Sequence, residues 1–434
     1  MTPVFLFLLL GWALSSVPDD TSLPPEVHPR AGVTRLRLDS LGVTFIARKN
    51  AYRGGPAESA DADILSPKSV NVSPDGSKFY VNSLEGMRTV VYDAQSGGKR
   101  KVIRHRFDTA HVALWAPPSG FFPFRHERLH PDFFSGKPVE SCFSHEGACL
   151  WVPYYRRDYD KNAVEPSAMA VIDTRRDTIV RLFETGPLPK MVACSPDGKT
   201  IAVTHWGDNT VGLIDISAPD MADWHFRACV VVDYRLPLDF PADQAVNRDI
   251  GSGYCLRGTL FSPDGKYLFV SCMGRGGGIA VIDLAQGRYL GRLTGMMSNI
   301  RHLILSRGRV YLTINGKGYV QSLSMAALEE AAEGLRASGK TVFPTQGWKS
   351  CKVPAGARTL VASPDGRYLF VACNHDSKIA VVDARSMRML GAVDADSYPV
   401  GLAISPDGRR LYATSQGRGG RGGNAVDIFR IDYR

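Results

Sequence analysis

Apolar and polar residues alternate in short runs along most of this chain, and turn-forming residues divide one run from the next. Ile279-Ala-Val-Ile-Asp283 and Ile379-Ala-Val-Val-Asp383 are examples, and their period of two is that of a strand. The divisions themselves recur. Ser-Pro-Asp-Gly begins at Ser73, Ser195, Ser262, Ser363 and Ser405. Two altered copies fill the gaps: Ser144-His-Glu-Gly147, followed by Ala-Cys-Leu-Trp-Val, and Ser306-Arg-Gly308, followed by Arg-Val-Tyr-Leu-Thr. Pro presets φ for a turn, Asp bonds its own backbone and Gly accepts positive φ, so the tetrapeptide joins two antiparallel strands.

The seven copies lie 71, 51, 67, 44, 57 and 42 residues apart, which implies a unit interrupted by insertions. Each unit reads as strand, turn, strand, loop, strand, turn, strand. Four antiparallel strands repeating every 40–45 residues or so make a propeller blade, and the expected fold is all-β: a seven-bladed β-propeller of four-stranded blades. The last unit ends at Asn424-Ala-Val-Asp-Ile-Phe-Arg-Ile-Asp432 with no room for a fourth strand, while Val33 to Ile46 hold spare strand-like sequence. An N-terminal strand should therefore close the ring and remove its open edges. Insertions run from His105 to Val139, Ala218 to Tyr254 and Ser324 to Lys349. The first two read as ordered loops rich in aromatics. In the third, Met325-Ala-Ala-Leu-Glu-Glu-Ala-Ala-Glu-Gly-Leu reads as an amphipathic helix that ends near Gly339 and caps a blade's rim.

Ahead of the repeats, the apolar run over residues 1–16 ends in small residues and reads as a cleaved export signal; residues 17–32 read as a flexible segment and 33–434 as the propeller. The run falls short of the about 20 apolar residues of a membrane span, and no cysteine follows it to accept a lipid. A secreted, periplasmic or cell-envelope protein with no membrane span after signal cleavage is expected. A hydrophobic content of 44% with 22% charged residues suits a soluble protein with a large core. Eight cysteines in an exported chain suggest disulfides. With Ser144 and Gly147 as the flanks of a two-residue turn, Cys142 and Cys149 should face each other within reach of a bridge. Cys272 and Cys373 hold one repeat position in two blades separated by a third, and read as small buried thiols.

The repeat resembles the YVTN-type, YncE-like propeller family, most clearly in Pro399-Val-Gly-Leu-Ala-Ile-Ser-Pro-Asp-Gly-Arg-Arg-Leu-Tyr-Ala-Thr414, and the likeness covers about residues 33–434. It implies that the loop entering each innermost strand and the loop between second and third strands open on one face, around the central channel. It does not imply an activity, since related propellers include binding proteins, lactonases and electron-transfer subunits. Five residues before each repeat's Ser stand Lys68, Val139, Lys190, Arg257, Arg301, Arg358 and Val400. Five of these seven are cationic, against 52 Lys and Arg in 434 residues, and closing the repeats sets them in a ring. The second group of loops adds Arg156, Arg157, His205, Trp206, Arg275 and His375, with Lys317, Arg418 and Arg421.

Such a rim focuses positive potential into a cleft, and Arg forks suit carboxylate or phosphate. The expected function is a secreted binding protein that recognises an anionic small molecule or a cell-envelope glycan. On the alternative reading the basic residues pair with carboxylates such as Asp208, Asp376 or Asp396 and only order the loops. Arg301-His302-Leu is similar to the Pro-Arg-His-Leu segment of lactonase propellers, which implies a lactonase-like hydrolase as a second function; a scaffold for an envelope protein is a third. No Gly-x-Ser-x-Gly, His-Glu-x-x-His or P-loop occurs, so no catalytic residue is assigned. No haem motif or zinc spacing occurs either, and no cofactor or metal is expected. Nucleic acid is disfavoured by export and by the lack of a basic–aromatic stripe.

Overall fold

A computed structural model describes residues 34–52, 56–241 and 243–434, and over them seven mainly antiparallel sheets follow one another around a ring. The expected signal peptide and N-terminal segment lie outside the described residues. The innermost strands of blades 1 to 7 are Pro67–Val72, Cys142–Ser144, Pro189–Cys194, Leu256–Phe261, Ile300–Ser306, Ala357–Ala362 and Pro399–Ile404. Alternation along the strands buries one set of side chains on each side, so the cores are the spaces between blades, as in the cluster of Trp151, Phe183, Ile201 and Trp224 between blades 2 and 3.

The Ser-Pro-Asp-Gly turn spans four residues between its paired ends. Ser73 N donates to Lys78 O at 2.9 Å, Lys78 N returns to Ser73 Oγ at 3.0 Å, and Asp75 accepts from Ser73 Oγ at 2.5 Å while Gly76 takes φ 71°. Each repeat that keeps the tetrapeptide keeps the Ser-to-Asp bond. This geometry corrects the cysteine expectation. Ser144 pairs with Cys149 and Cys142 with Trp151, so the two thiols are offset by two residues along the ladder and do not face each other. All eight cysteines are free thiols. In blade 5 the shortened copy becomes a two-residue hairpin, Ser306 opposite Arg309, with Arg307 and Gly308 both at positive φ (48° and 70°).

The ring closes through Leu41–Asn50, which pairs with Ala425–Tyr433 from Leu41↔Tyr433 to Asn50↔Ala425. The spare sequence identified upstream thus divides into this strand and a short outer one, Arg35–Arg37. At the seam Arg48 Nε meets Asp427 at 2.5 Å, the Asp396 amide donates to Asp427 at 2.7 Å, and both carboxylates are fully buried. The helix Met325–Ser338 is capped by the Ser324 hydroxyl and ends at Gly339 with φ 64°. It buries Leu328, Ala332 and Leu335 in the core shared by blades 4 and 5. The first insertion adds Phe134–Pro138 alongside the far end of the long strand Cys149–Arg157. The second forms the outer strand of blade 3, His225–Val231, then a loop that carries Asp249 back to the channel face.

Candidate functional site

In six blades the residue at the basic repeat position interrupts the strand ladder. Register shifts fall between Pro67 and Ser69, Pro189 and Met191, Leu256 and Thr259, Ile300 and Leu303, Ala357 and Leu360, and Pro399 and Gly401. A bulge re-aims its side chain. Two residues before each of these positions the backbone is left-handed, at Ser66, Leu188, Cys255, Asn299, Gly356 and Tyr398, with φ between 48° and 83°. The ring is also tied from blade to blade. Ser69 Oγ donates to Val139 O at 2.7 Å, Thr313 Oγ1 to Arg358 O at 2.6 Å and Thr359 Oγ1 to Val400 O at 2.6 Å.

Lys68, Lys190, Arg257, Arg301 and Arg358 all line one cavity of about 350 Å³. Leu84, Trp206, Met273 and Gln416, each directly after a second strand, line it too, with Tyr155, Tyr398 and Asp249. Both groups of loops therefore open on the same face. Two carboxylates reach these cations: Asp249 lies 3.3 Å from Lys190 Nζ, and Glu140 lies 3.2 Å from Arg257 Nη2. Arg301 Nη1 rests on Met273 Sδ at 2.8 Å. The Nε atoms of Arg301 and Arg358 are buried with no hydrogen-bond partner among the described residues.

The cations destabilise one another's charges. Burial, then Arg257 and Arg301, push Lys190 down to about 7 against the opposing pull of Asp249. Burial and Arg257 bring Arg358 down to about 10. Lys68 falls well below an ordinary lysine through burial and then Arg358, Arg257 and Lys190. Arg301 falls likewise through burial, Arg358 and Arg257. A cavity that holds its cations at such a cost suits an anionic guest.

The other sequence-selected residues divide. Trp206 lines the cavity, its indole N–H donating to Arg248 O at 3.1 Å. Arg156 sits beside it, 5.5 Å from the Tyr155 ring and bonded to Lys161 O. His375 stacks on Tyr398 at 6.3 Å, at the cavity's edge, and burial followed by Arg418 lowers its pKa. Arg275 lies over Tyr234, away from the cavity wall. Arg157 and His205 do not reach the channel. Arg157 is 1% exposed, bonds Asp132 at 2.9 Å and lies over Phe134 at 4.6 Å, pinning the first insertion. His205 is fully buried, bonds Thr210 Oγ1 at 2.7 Å and meets Phe122 edge-on; strand alternation turns it into the core while Trp206 faces the channel.

The carboxylates expected as loop-ordering partners are engaged elsewhere. Asp208 meets Arg235 at 3.0 Å, Asp376 accepts from the Ala355 amide, and Asp396 belongs to the seam. Residues of the site not selected from the sequence are Tyr155, which holds after Ser144 the repeat place that Trp206 holds after Ser195, and Tyr398, Glu140 and Asp249. Glu140 stands one place past the apolar Val139, and Asp249 lies deep in an insertion. His302, the lactonase-like signal, accepts from the Leu360 amide at 3.3 Å, and burial lowers it to about 4. A second cavity, about 480 Å³, lies among the insertions. In it His126 Nδ1 contacts Glu165 at 2.5 Å, and burial lifts Asp160 to about 6. Among the described residues no cluster of three metal-ligating side chains forms, and no helix is long and apolar enough to cross a membrane.

No protein-family model matches the chain, so the YVTN-type likeness stays one of motif. Over 175 residues the chain is 26% identical to antigen Lp49 of Leptospira interrogans, a match that covers 36% of this chain and 35% of that relative. Among solved structures, hydrazine synthase of Kuenenia stuttgartiensis superimposes with a TM-score of 0.58 at 17% identity, over 87% of this chain and 98% of that one. The Cps50 (Swd1) β-propeller domain of Myceliophteria thermophila gives 0.55 at 12% identity, over 84% and 96%. At these identities the likeness is one of fold, and the fold is a seven-bladed β-propeller closed by an N-terminal strand.

Proposed function

We propose that this protein binds an anionic small molecule, or the anionic part of a cell-envelope glycan, in the channel cavity. The observation that carries the reading is the imbalance of charge: five cationic side chains share the cavity with Asp249 and Glu140 as their carboxylate partners, and two guanidinium Nε atoms are left unbonded among the described residues. A purely structural ring pairs its charges, because an unpaired buried charge costs several kcal/mol. The apolar run at residues 1–16 and the partial likeness to a Leptospira antigen support a place at the cell surface or outside the cell. Hydrolysis of a lactone is less well supported, because His302 is turned to the next blade.

The test is a thermal-shift screen of citrate, phosphate, uronic acids, anionic cell-wall fragments and lactones, with a hydrolysis assay on each hit. Ligand at a hundred times its dissociation constant adds about 2.7 kcal/mol of stability. Arg257→Ala with Arg301→Ala should abolish the shift at low salt. An unchanged affinity in that double variant refutes the proposal.

A further inference from the structure

We propose, resting on that reading, that the anion also carries a carbonyl group and that Lys190 condenses with it to form an imine, which makes a small oxo acid the ligand class. Lys190 leaves the bulge of blade 3, 7% exposed, with its amine inside the cavity. Its Nζ stands 4.0 Å from the centre of the Tyr155 ring and 4.9 Å from that of Trp206. Asp249 Oδ1 is 3.3 Å away, and the Tyr155 hydroxyl donates to the other oxygen of the same carboxylate. The amine therefore has apolar walls, a carboxylate able to take and return a proton, and a phenol behind that carboxylate. Arg301 and Arg358 share the cavity with unsatisfied Nε–H groups, as a carboxylate's partners would.

The chemistry follows from that arrangement. The Lys190 nitrogen lone pair attacks the carbonyl carbon; the C–N bond forms and the C=O π pair moves to oxygen. Asp249 takes a proton from the nitrogen and returns it to the oxygen to give a carbinolamine. The hydroxyl then takes a second proton from Asp249 and leaves as water while the nitrogen lone pair makes the second C–N bond, and the remaining N–H proton restores the one Asp249 gave, so C=O and NH₂ become C=N and one water, with no oxidant or reductant. Attack requires a free amine. An ordinary lysine near pKa 10.4 is almost wholly ammonium at neutral pH, whereas burial and the guanidinium groups of Arg257 and Arg301 bring Lys190 to about 7.

The experiment incubates the full chain with glyoxylate or 2-oxoglutarate, reduces with borohydride, and locates the adduct by peptide mass mapping, with citrate as a competitor that has no aldehyde or ketone. The expected result is one adduct per chain, on Lys190, exceeding labelling of any surface lysine by about tenfold or more because of its larger free-amine fraction, and suppressed by citrate. Lys190→Arg, checked for a native melting transition, should lose the adduct. Labelling of Lys190 no greater than that of surface lysines, while citrate still raises the melting temperature, overturns the imine and leaves anion binding standing. The absence of both adduct and any anion-induced shift overturns both.

Discussion

Arg358 and Arg157 are both buried arginines, and the same substitution should move stability in opposite directions. Arg358 is 2% exposed, its Nε is unbonded among the described residues, and burial with Arg257 holds it down at about 10. At about 1.4 kcal/mol per pKa unit, its charge is disfavoured in the folded chain by on the order of 3 kcal/mol. For a base with a lowered folded pKa this penalty is fully present at neutral pH and is relieved only above pH 10. Arg358→Met keeps an apolar stem and removes the charge, and also relieves Lys68 and Arg301, which Arg358 repels. The ligand-free variant should be more stable by about 1–3 kcal/mol, or roughly 1–4 °C in melting temperature for a chain of this length. It should also lose its response to citrate. Arg157→Met breaks the bond to Asp132 and the packing on Phe134, Phe124 and Trp115, and should cost about 3 kcal/mol. Differential scanning calorimetry of both variants without ligand decides the matter. A melting temperature for Arg358→Met several degrees below that of the parent protein would make Arg358 a structural tie and refute the reasoning.

Removing one member of the seam, as in Arg48→Ala, leaves Asp427 and Asp396 buried without their cation and should cost about 3–5 kcal/mol, read as a drop in melting temperature with loss of cooperativity. Lys190 titrates near 7 folded and near 10.4 unfolded, so its contribution to the stability of the empty protein rises with pH between those values; subtracting the melting curves of Lys190→Met from those of the parent between pH 7 and 9.5 should reveal that slope. Gly356→Ala adds a Cβ 2.2 Å from Asn374 Oδ1 at φ 83°, and should weaken both the fold and citrate binding, as thermal shift will record. Mass mapping without reduction should find no Cys142–Cys149 bridge.

The propeller was legible because its determinants are local. Each Ser-Pro-Asp-Gly closes its own hairpin, and phase carried from it brings Lys68, Lys190, Arg257, Arg301 and Arg358 to one cavity. Phase marks a position in a repeat and says less about which way a side chain points. Arg157 and His205 lie in suitable loops yet alternate into the core. The thiol pairing failed by a count of turn residues: four separate the paired ends, where two were assumed, which slid Cys142 onto Trp151. Tyr155 holds in blade 2 the repeat place of Trp206 and was passed over for its basic neighbours. Asp249 was invisible for a different reason. An insertion has no register to the repeat, and only the folded chain shows that loop 232–255 returns to Lys190.

The pairing of Leu41–Asn50 with Ala425–Tyr433 joins segments that lie on either side of the other six blades in the chain. Leu41–Asn50 is made before those blades and its partner after them, so six blades can assemble while the early strand of the seventh waits for its neighbour. Until then two sheet edges stand open on one chain, and contacts this distant in sequence form slowly. Another copy's early strand fits the same vacancy as well as the chain's own, so crowded synthesis favours exchange between molecules, and dilution favours the monomeric ring.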